Sequence, residues 1–123
     1  MKKKLSIIIP VYNEKESLSI MVRLLKLSLD FENEILIVYD NLNDNSVDAA
    51  NKLEKELINV RAIHNSYKPG VKYAIDKGVK ESKHDIILVT VIDDIFPILA
   101  IEEMMNSITK DNYDFISGTR YSL

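Results

Sequence analysis

Ile86-Ile87-Leu88-Val89-Thr90-Val91-Ile92-Asp93-Asp94 is a run of apolar, mostly β-branched residues that stops at two adjacent carboxylates, with Pro97 shortly after. Such a run reads as a strand buried on both faces, the kind found in a parallel sheet covered by helices. Open sheets of that kind bind ligands beyond the carboxyl ends of their strands, where this run places its acids. Two carboxylates there suit Mg²⁺ or Mn²⁺, hard cations that take oxygen ligands and share them with substrate phosphates. The plainer reading is that one acid caps the following helix. Both roles can hold at once.

Working outward, residues 5–10 form a first apolar strand ended by Pro10, and residues 34–39 a second that stops at Asp40. Residues 58–63 make a shorter third, and residues 113–117 a fifth after the acid-tipped one. Helical spacing fills the gaps. Leu18, Met21, Val22, Leu25 and Leu29 mark one helix, and Val47, Ala50, Leu53 and Leu57 a second, with Asn45 or Ser46 as its cap. Pro69 and Gly70 open a third with Val71, Ala74, Ile75 and Gly78 inward. Gly78 costs helix propensity, which a close helix–sheet approach explains. Pro97 introduces a fourth, with Ile101, Met104, Met105 and Ile108 inward and the methionines as core filler.

The order βαβαβαβαβ with right-handed crossovers gives an α/β fold, a Rossmann-like three-layer α/β/α sandwich with a mainly parallel sheet. The first strand is expected centrally, with strand order reversing between it and the acid-tipped strand. The whole of 1–123 reads as one domain, without linker or repeat.

Composition narrows the function. With 46% hydrophobic and 28% charged residues this is an ordinary globular chain, and a formal net charge of −3 carries no footprint for DNA or RNA. No cysteine is present, which excludes disulfides and thiolate metal sites. Lys2-Lys3-Lys4 reads as a solvated terminus, and residues 5–11, broken by Ser6 and Pro10, do not read as a signal peptide. No stretch approaches the roughly 18 apolar residues of a membrane span, and a cytoplasmic location is the default. Only three glycines occur, so there is neither a dinucleotide-binding glycine fingerprint nor a P-loop. His64 and His84 stand beside no nucleophile motif.

What remains is acids and amides at strand ends: Asn13, Glu14, Asp40, Asp44, Asn65, Asp93 and Asp94. In a parallel sheet these share one edge. Carboxylates there can accept from ribose hydroxyls and base N–H groups, while a diphosphate needs a cation and a basic side chain such as Arg120. The structural alternatives are Glu14 as a first-turn helix acid, Asp44 as a helix or Asx-turn cap, and Asn65 as a turn residue.

Ser6-Ile7-Ile8-Ile9-Pro10-Val11-Tyr12-Asn13-Glu14 resembles the opening of family 2 glycosyltransferases of the GT-A fold. Residues 34–44 resemble that family's Val-Asp-Asp-Gly-Ser-x-Asp segment, and residues 65–78 its Asn…Gly…Ala…Gly segment. Val91-Ile92-Asp93 occupies the place of its Asp-x-Asp metal motif, and Ser117-Gly118-Thr119-Arg120-Tyr121 resembles its Gly-Ser-Arg-Tyr/Phe. Tyr39-Asp40 and Tyr67-Lys68-Pro69-Gly70 look most like the polyprenyl (dolichol) phosphate sugar transferases.

The resemblance implies the nucleotide-binding half of a GT-A enzyme. Pro10, Tyr12 and Glu14 would line the nucleoside site, Asp40 would face the base, and Arg120 would reach the phosphates. Asp93 would hold the metal or the sugar diphosphate, with Asp94 as a second metal ligand. The implied donor is a UDP- or GDP-sugar, the cofactor Mg²⁺ or Mn²⁺ as a Lewis acid, and the acceptor a polyprenyl phosphate. Members of the family continue beyond this point with an acceptor-binding region, so a larger protein, membrane-associated on its cytoplasmic side, is expected. Apolar surface left for that region would favour a homo-oligomer.

The sequence departs from the pattern in two places: Val91 replaces an acid of Asp-x-Asp, and Asn41-Leu42 replaces Gly-Ser. Val91 favours a second reading, a non-catalytic nucleotide-binding or interaction module that keeps the fold without the chemistry. Nucleotidyl transfer is a third, weakened by the lack of a glycine-rich loop after the first strand.

Overall fold

A strand with apolar residues at every position must be covered on both sides, and this requirement organises the chain. The computed structural model describes residues 4–90 together with 101, 103, 105, 106, 116 and 117. Along them run β1 (Lys4–Pro10), α1 (Lys15–Ser28), β2 (Glu32–Tyr39), α2 (Ser46–Glu56), β3 (Val60–His64), α3 (Val71–Glu81), β4 (Ile87–Val89) and β5 (Ile116–Ser117). Residues 101, 103, 105 and 106 are helical.

The strands form one sheet in the order β3-β2-β1-β4-β5, parallel at every pairing. β1 is central, as its apolar run requires. The chain steps outward from β1 to β2 and β3, then crosses back through α3 to place β4 on the other side of β1. Strand order therefore reverses between β1 and β4. In open α/β sheets the ligand cleft lies at that reversal, outside the carboxyl ends of the strands.

Side chains divide between the faces with the two-residue period of a strand. Leu5, Ile7 and Ile9 of β1 and Ile35, Ile37 and Tyr39 of β2 face one core, with Leu18, Val22 and Leu25 of α1, Ala50 and Leu53 of α2, and Ile101 and Met105. Ile8, Leu36 and Val38 face the other, where α3 supplies Ala74 and the partly buried Ile75. The result is the expected three layers. Each fully buried leucine or isoleucine contributes about 1.5–3 kcal/mol relative to an exposed one.

Gly78 shows why α3 tolerates a glycine. A Cβ built there would sit 2.6 Å from Ile8 Cγ2, so the helix rests directly on β1.

Local departures from the sequence expectations have physical causes. β3 begins at Val60, not at 58. Ile58 is 82% exposed and Asn59 adopts φ 60°, so these two residues turn the chain out of α2. Val71, expected inward, is exposed: it is the first residue of α3, and burial along that helix begins only at Ala74. Asn45 occupies the N-cap position of α2 but its side chain caps nothing there; Asp44 Oδ1 instead accepts the Ser46 N–H at 2.7 Å. β4 is described only over Ile87–Val89, with ladder contacts extending to the Ile86 carbonyl and the Thr90 N–H. The expected strand residues 91, 92 and 113–115, and the inward Met104 and Ile108, lie outside the described residues. Among the described residues no helix is long and apolar enough to cross a membrane.

Candidate functional site

Parallel strands deliver their following loops to one edge, and the backbone shows where each leaves. Val11 N donates to Val38 O at 3.0 Å, Asn65 N to Tyr39 O at 2.8 Å, and Thr90 N to Ile8 O at 3.0 Å. The loops after β1, β2 and β3 therefore start side by side along one edge of the sheet, with Thr90, at the end of β4, on the other side of β1.

The loops after β1 and β2 are locked together. Asn13, at φ 51°, turns the first loop back so that its N–H donates to Asp44 Oδ1 at 2.9 Å. In return, Asn13 Oδ1 accepts the Asn45 N–H at 3.0 Å. Glu14 N donates to Ser46 Oγ at 2.7 Å, and Lys15 N to Asn45 Oδ1 at 3.2 Å. The first N–H groups of a helix lack intrahelical acceptors. Here the N–H groups of the N-cap residue Glu14 and of Lys15, the first residue of α1, are taken by side chains from the start of α2 instead of by a cap of its own. The substituted Asn41-Leu42 turn still closes: Asn41 Oδ1 accepts the Asn43 N–H at 2.8 Å and Asn41 O the Asp44 N–H at 3.0 Å. Leu42 points outward, 66% exposed.

A second lock joins β2 to the loop after β3. Both carboxylate oxygens of Asp40 are engaged, Oδ1 by Asn65 Nδ2 at 2.7 Å and Oδ2 by Gly70 N at 2.9 Å. Asn65 is buried; its Nδ2 also donates to Lys68 O at 2.8 Å, and its Oδ1 accepts the Tyr67 N–H at 3.3 Å. Gly70 adopts φ 130°, a conformation L side chains rarely take, and this turns its N–H toward Asp40. Beneath, the Tyr39 and His64 rings stack with centroids 5.3 Å apart, and His64 Nε2 lies 3.1 Å from Asp40 O.

Of the residues expected in the site, Pro10 is the buried last residue of β1, Tyr12 is exposed on the first loop, and Glu14 is half-buried at the start of α1. Asp40 stands half-buried on the neighbouring loop. Asp93, Asp94 and Arg120 lie outside the described residues. Among the described residues no group of three or more His, Asp or Glu side chains is arranged to hold a metal ion. Asp44 takes the Asx-turn role raised from sequence, but it also binds the opposite loop. The bonds made by Asn45, Ser46 and Gly70 across the loops were not anticipated. Their only sequence signal is the density of short polar residues at 41–46 and one glycine after a proline.

The family model for glycosyl transferase family 2 matches residues 6–122. Dolichol-phosphate mannosyltransferase of Pyrococcus furiosus is 31% identical over 119 residues, covering 96% of this chain and 33% of that protein. Undecaprenyl-phosphate 4-deoxy-4-formamido-L-arabinose transferase of Yersinia enterocolitica is 34% identical over 125 residues, covering 96% of this chain and 37% of that protein. The chain thus spans about a third of the length of these curated relatives.

Among solved structures, glucosyl-3-phosphoglycerate synthase from Mycobacterium tuberculosis, in complex with Mn²⁺, UDP and glucosyl-3-phosphoglycerate, superposes with a TM-score of 0.70. It is 16% identical and covers 86% of this chain and 39% of its own. TarS of S. aureus gives a TM-score of 0.67 at 25% identity, over 89% of this chain and 33% of its own. The fold is that of the GT-A glycosyltransferases. With the family match running over nearly its whole length, the chain belongs to glycosyl transferase family 2.

Proposed function

We propose that this chain is the donor-binding domain of an enzyme that moves a sugar from a nucleoside diphosphate to a polyprenyl phosphate. The observation that carries the reading is that the β1, β2 and β3 loops are tied together at one edge of the sheet, beside the strand-order reversal, with Asp40 on the middle one. A carboxylate oxygen has two acceptor positions. Asp40 can therefore keep Asn65 and Gly70 and still accept an N–H from a base. The locked loops hold it in place, so little order is lost on binding.

Pro10 and Glu14 would form the wall and floor of the nucleoside site, and Tyr12 would offer its exposed ring to the base. Asp93 and Asp94, an oxygen-donor pair after β4, would hold Mg²⁺ or Mn²⁺, and Arg120 would meet the diphosphate. The cation would supply positive charge to the departing nucleoside diphosphate. The acceptor class follows the names of the two sequence relatives.

Calorimetric titration with UDP-glucose and GDP-mannose, each with and without Mn²⁺, tests this reading. Metal-dependent binding of one donor, abolished by Asp93→Ala in a folded chain, is the expected result. No binding of either donor by the folded chain would favour the non-catalytic module.

A further inference from the structure

The chain is acidic overall, with a formal net charge of −3, yet residues 61–83 hold six lysines and arginines against two acids. The charge gathers with aromatic surface at one place. Tyr67 is 73% exposed and packs edge-on against Tyr73 with centroids 5.6 Å apart. Lys68 Nζ sits 5.5 Å from the Tyr67 centroid and 6.0 Å from that of Tyr73, and Lys72 Nζ 6.0 Å from Tyr73. The two acids lie farther along α3. Glu81, at its far end, is paired with Arg61 at 2.7 Å and Lys77 at 3.6 Å, and Asp76 is a turn beyond Lys72.

From this cluster we infer that Tyr67, Lys68, Lys72 and Tyr73 form a docking surface for an anionic membrane. Tyrosine and lysine are the side chains that suit a bilayer interface, each with an apolar body and a polar tip. Lysines gain from the negative surface potential while the rings enter the headgroup layer. Tyr67, Lys68 and Lys72 are all exposed and the cations flank the rings, an arrangement complementary to an anionic lipid surface. The net charge of the chain argues against nucleic acid. The surface is also rigidly placed, because Asn65 and Asp40 pin the loop that carries Tyr67 and Lys68. It lies at the same edge as the candidate donor site, so docking would turn that edge toward lipid. This extends the reading above, whose acceptor is a lipid phosphate, but it is measured without nucleotide and either can fail alone.

The test is cosedimentation of the chain with phosphatidylglycerol-containing vesicles and with pure phosphatidylcholine vesicles, at low and high salt. Binding to the anionic vesicles alone, weakened by salt, is expected. Lys68→Glu with Lys72→Glu should lower partitioning at least roughly thirty-fold, the loss expected for two surface lysines. The chain holds no tryptophan, so Tyr67→Trp supplies a single reporter whose emission should shift to the blue on anionic vesicles. Circular dichroism confirms that the variants fold. No cosedimentation, equal binding to both vesicle types, or undiminished binding by the double variant would overturn the inference. Loss of UDP-sugar affinity in that variant without any vesicle binding would assign the lysines to the donor site instead, with the same consequence.

Discussion

Asp44 Oδ1 accepts the backbone N–H of Asn13 at 2.9 Å, joining loops that lie 31 residues apart in sequence and sit at adjacent strand ends. The same oxygen accepts Ser46 N at 2.7 Å, and Asp44 is only 7% exposed. One carboxylate thus sets both the start of α2 and the position of the loop bearing Tyr12 and Glu14. Removing the acceptor strands two amide donors. Asp44→Ala should cost about 1.5–3 kcal/mol in urea denaturation, the range for hydrogen bonds to a charged group. Asp44→Asn, which keeps an oxygen at that position, should recover most of the loss and any loss of donor affinity.

Gly78 reverses the usual effect of filling a helical glycine. Alanine ordinarily gains about 1 kcal/mol in a helix interior. Here the new methyl would press on Ile8 at 2.6 Å, and overpacking costs about 1–3 kcal/mol. Gly78→Ala should therefore lower stability, whereas in an Ile8→Ala background the same change should raise it. A double-mutant cycle by urea denaturation measures the coupling.

The continuous apolar runs of β1 and β2 could be read from sequence because burial on both faces leaves no room for a polar position. The reversal of strand order followed from right-handed crossovers together with the need to cover both faces of the sheet. Ile58 and Val71 misled for a shared reason: both are apolar and in phase with an element, but they sit at its end, where the sheet no longer covers them. At the site, Asp40, Asn65 and Asp44 were visible as polar residues at strand ends. Their partners were not. The Asp44–Asn13 and Asp40–Gly70 bonds join segments 31 and 30 residues apart, and only the folded sheet brings them within reach.

At the opposite edge of the sheet, buried Glu34 ties β1 and β2 to the segment leading into β4. Its Oε2 accepts Ser6 Oγ at 2.6 Å and Lys83 N at 2.5 Å, while Ser6 Oγ accepts His84 N at 3.2 Å. Glu34→Ala should destabilise by about 2–4 kcal/mol, because buried donors lose a charged acceptor. Calorimetry of the folded variant should show donor binding unchanged, since this clasp lies a strand's length from the site.

Arg61 donates to Glu81 and, with the Lys77 charge nearby, holds that carboxyl below its usual value of 4.5. A depressed folded-state pKa gives stability that is present above 4.5 and is lost as pH falls through the folded value. Glu81→Gln should therefore narrow its stability gap to the unaltered chain as pH falls below 4.5. The pair is partly open to solvent, so salt should shrink the gap as well. Urea midpoints across that acid range check both effects.

The central claim is that the donor binds at the edge where β1, β2 and β3 release their loops. Backbone amide NMR of the labelled chain during titration with UDP-sugar and Mg²⁺ tests it residue by residue. The account predicts shifts at Tyr12, Asn13, Glu14, Asp40 and Gly70, with Ser6, Glu34 and Lys83 unmoved. Shifts confined to those last three, or none at all at saturating ligand, would contradict it.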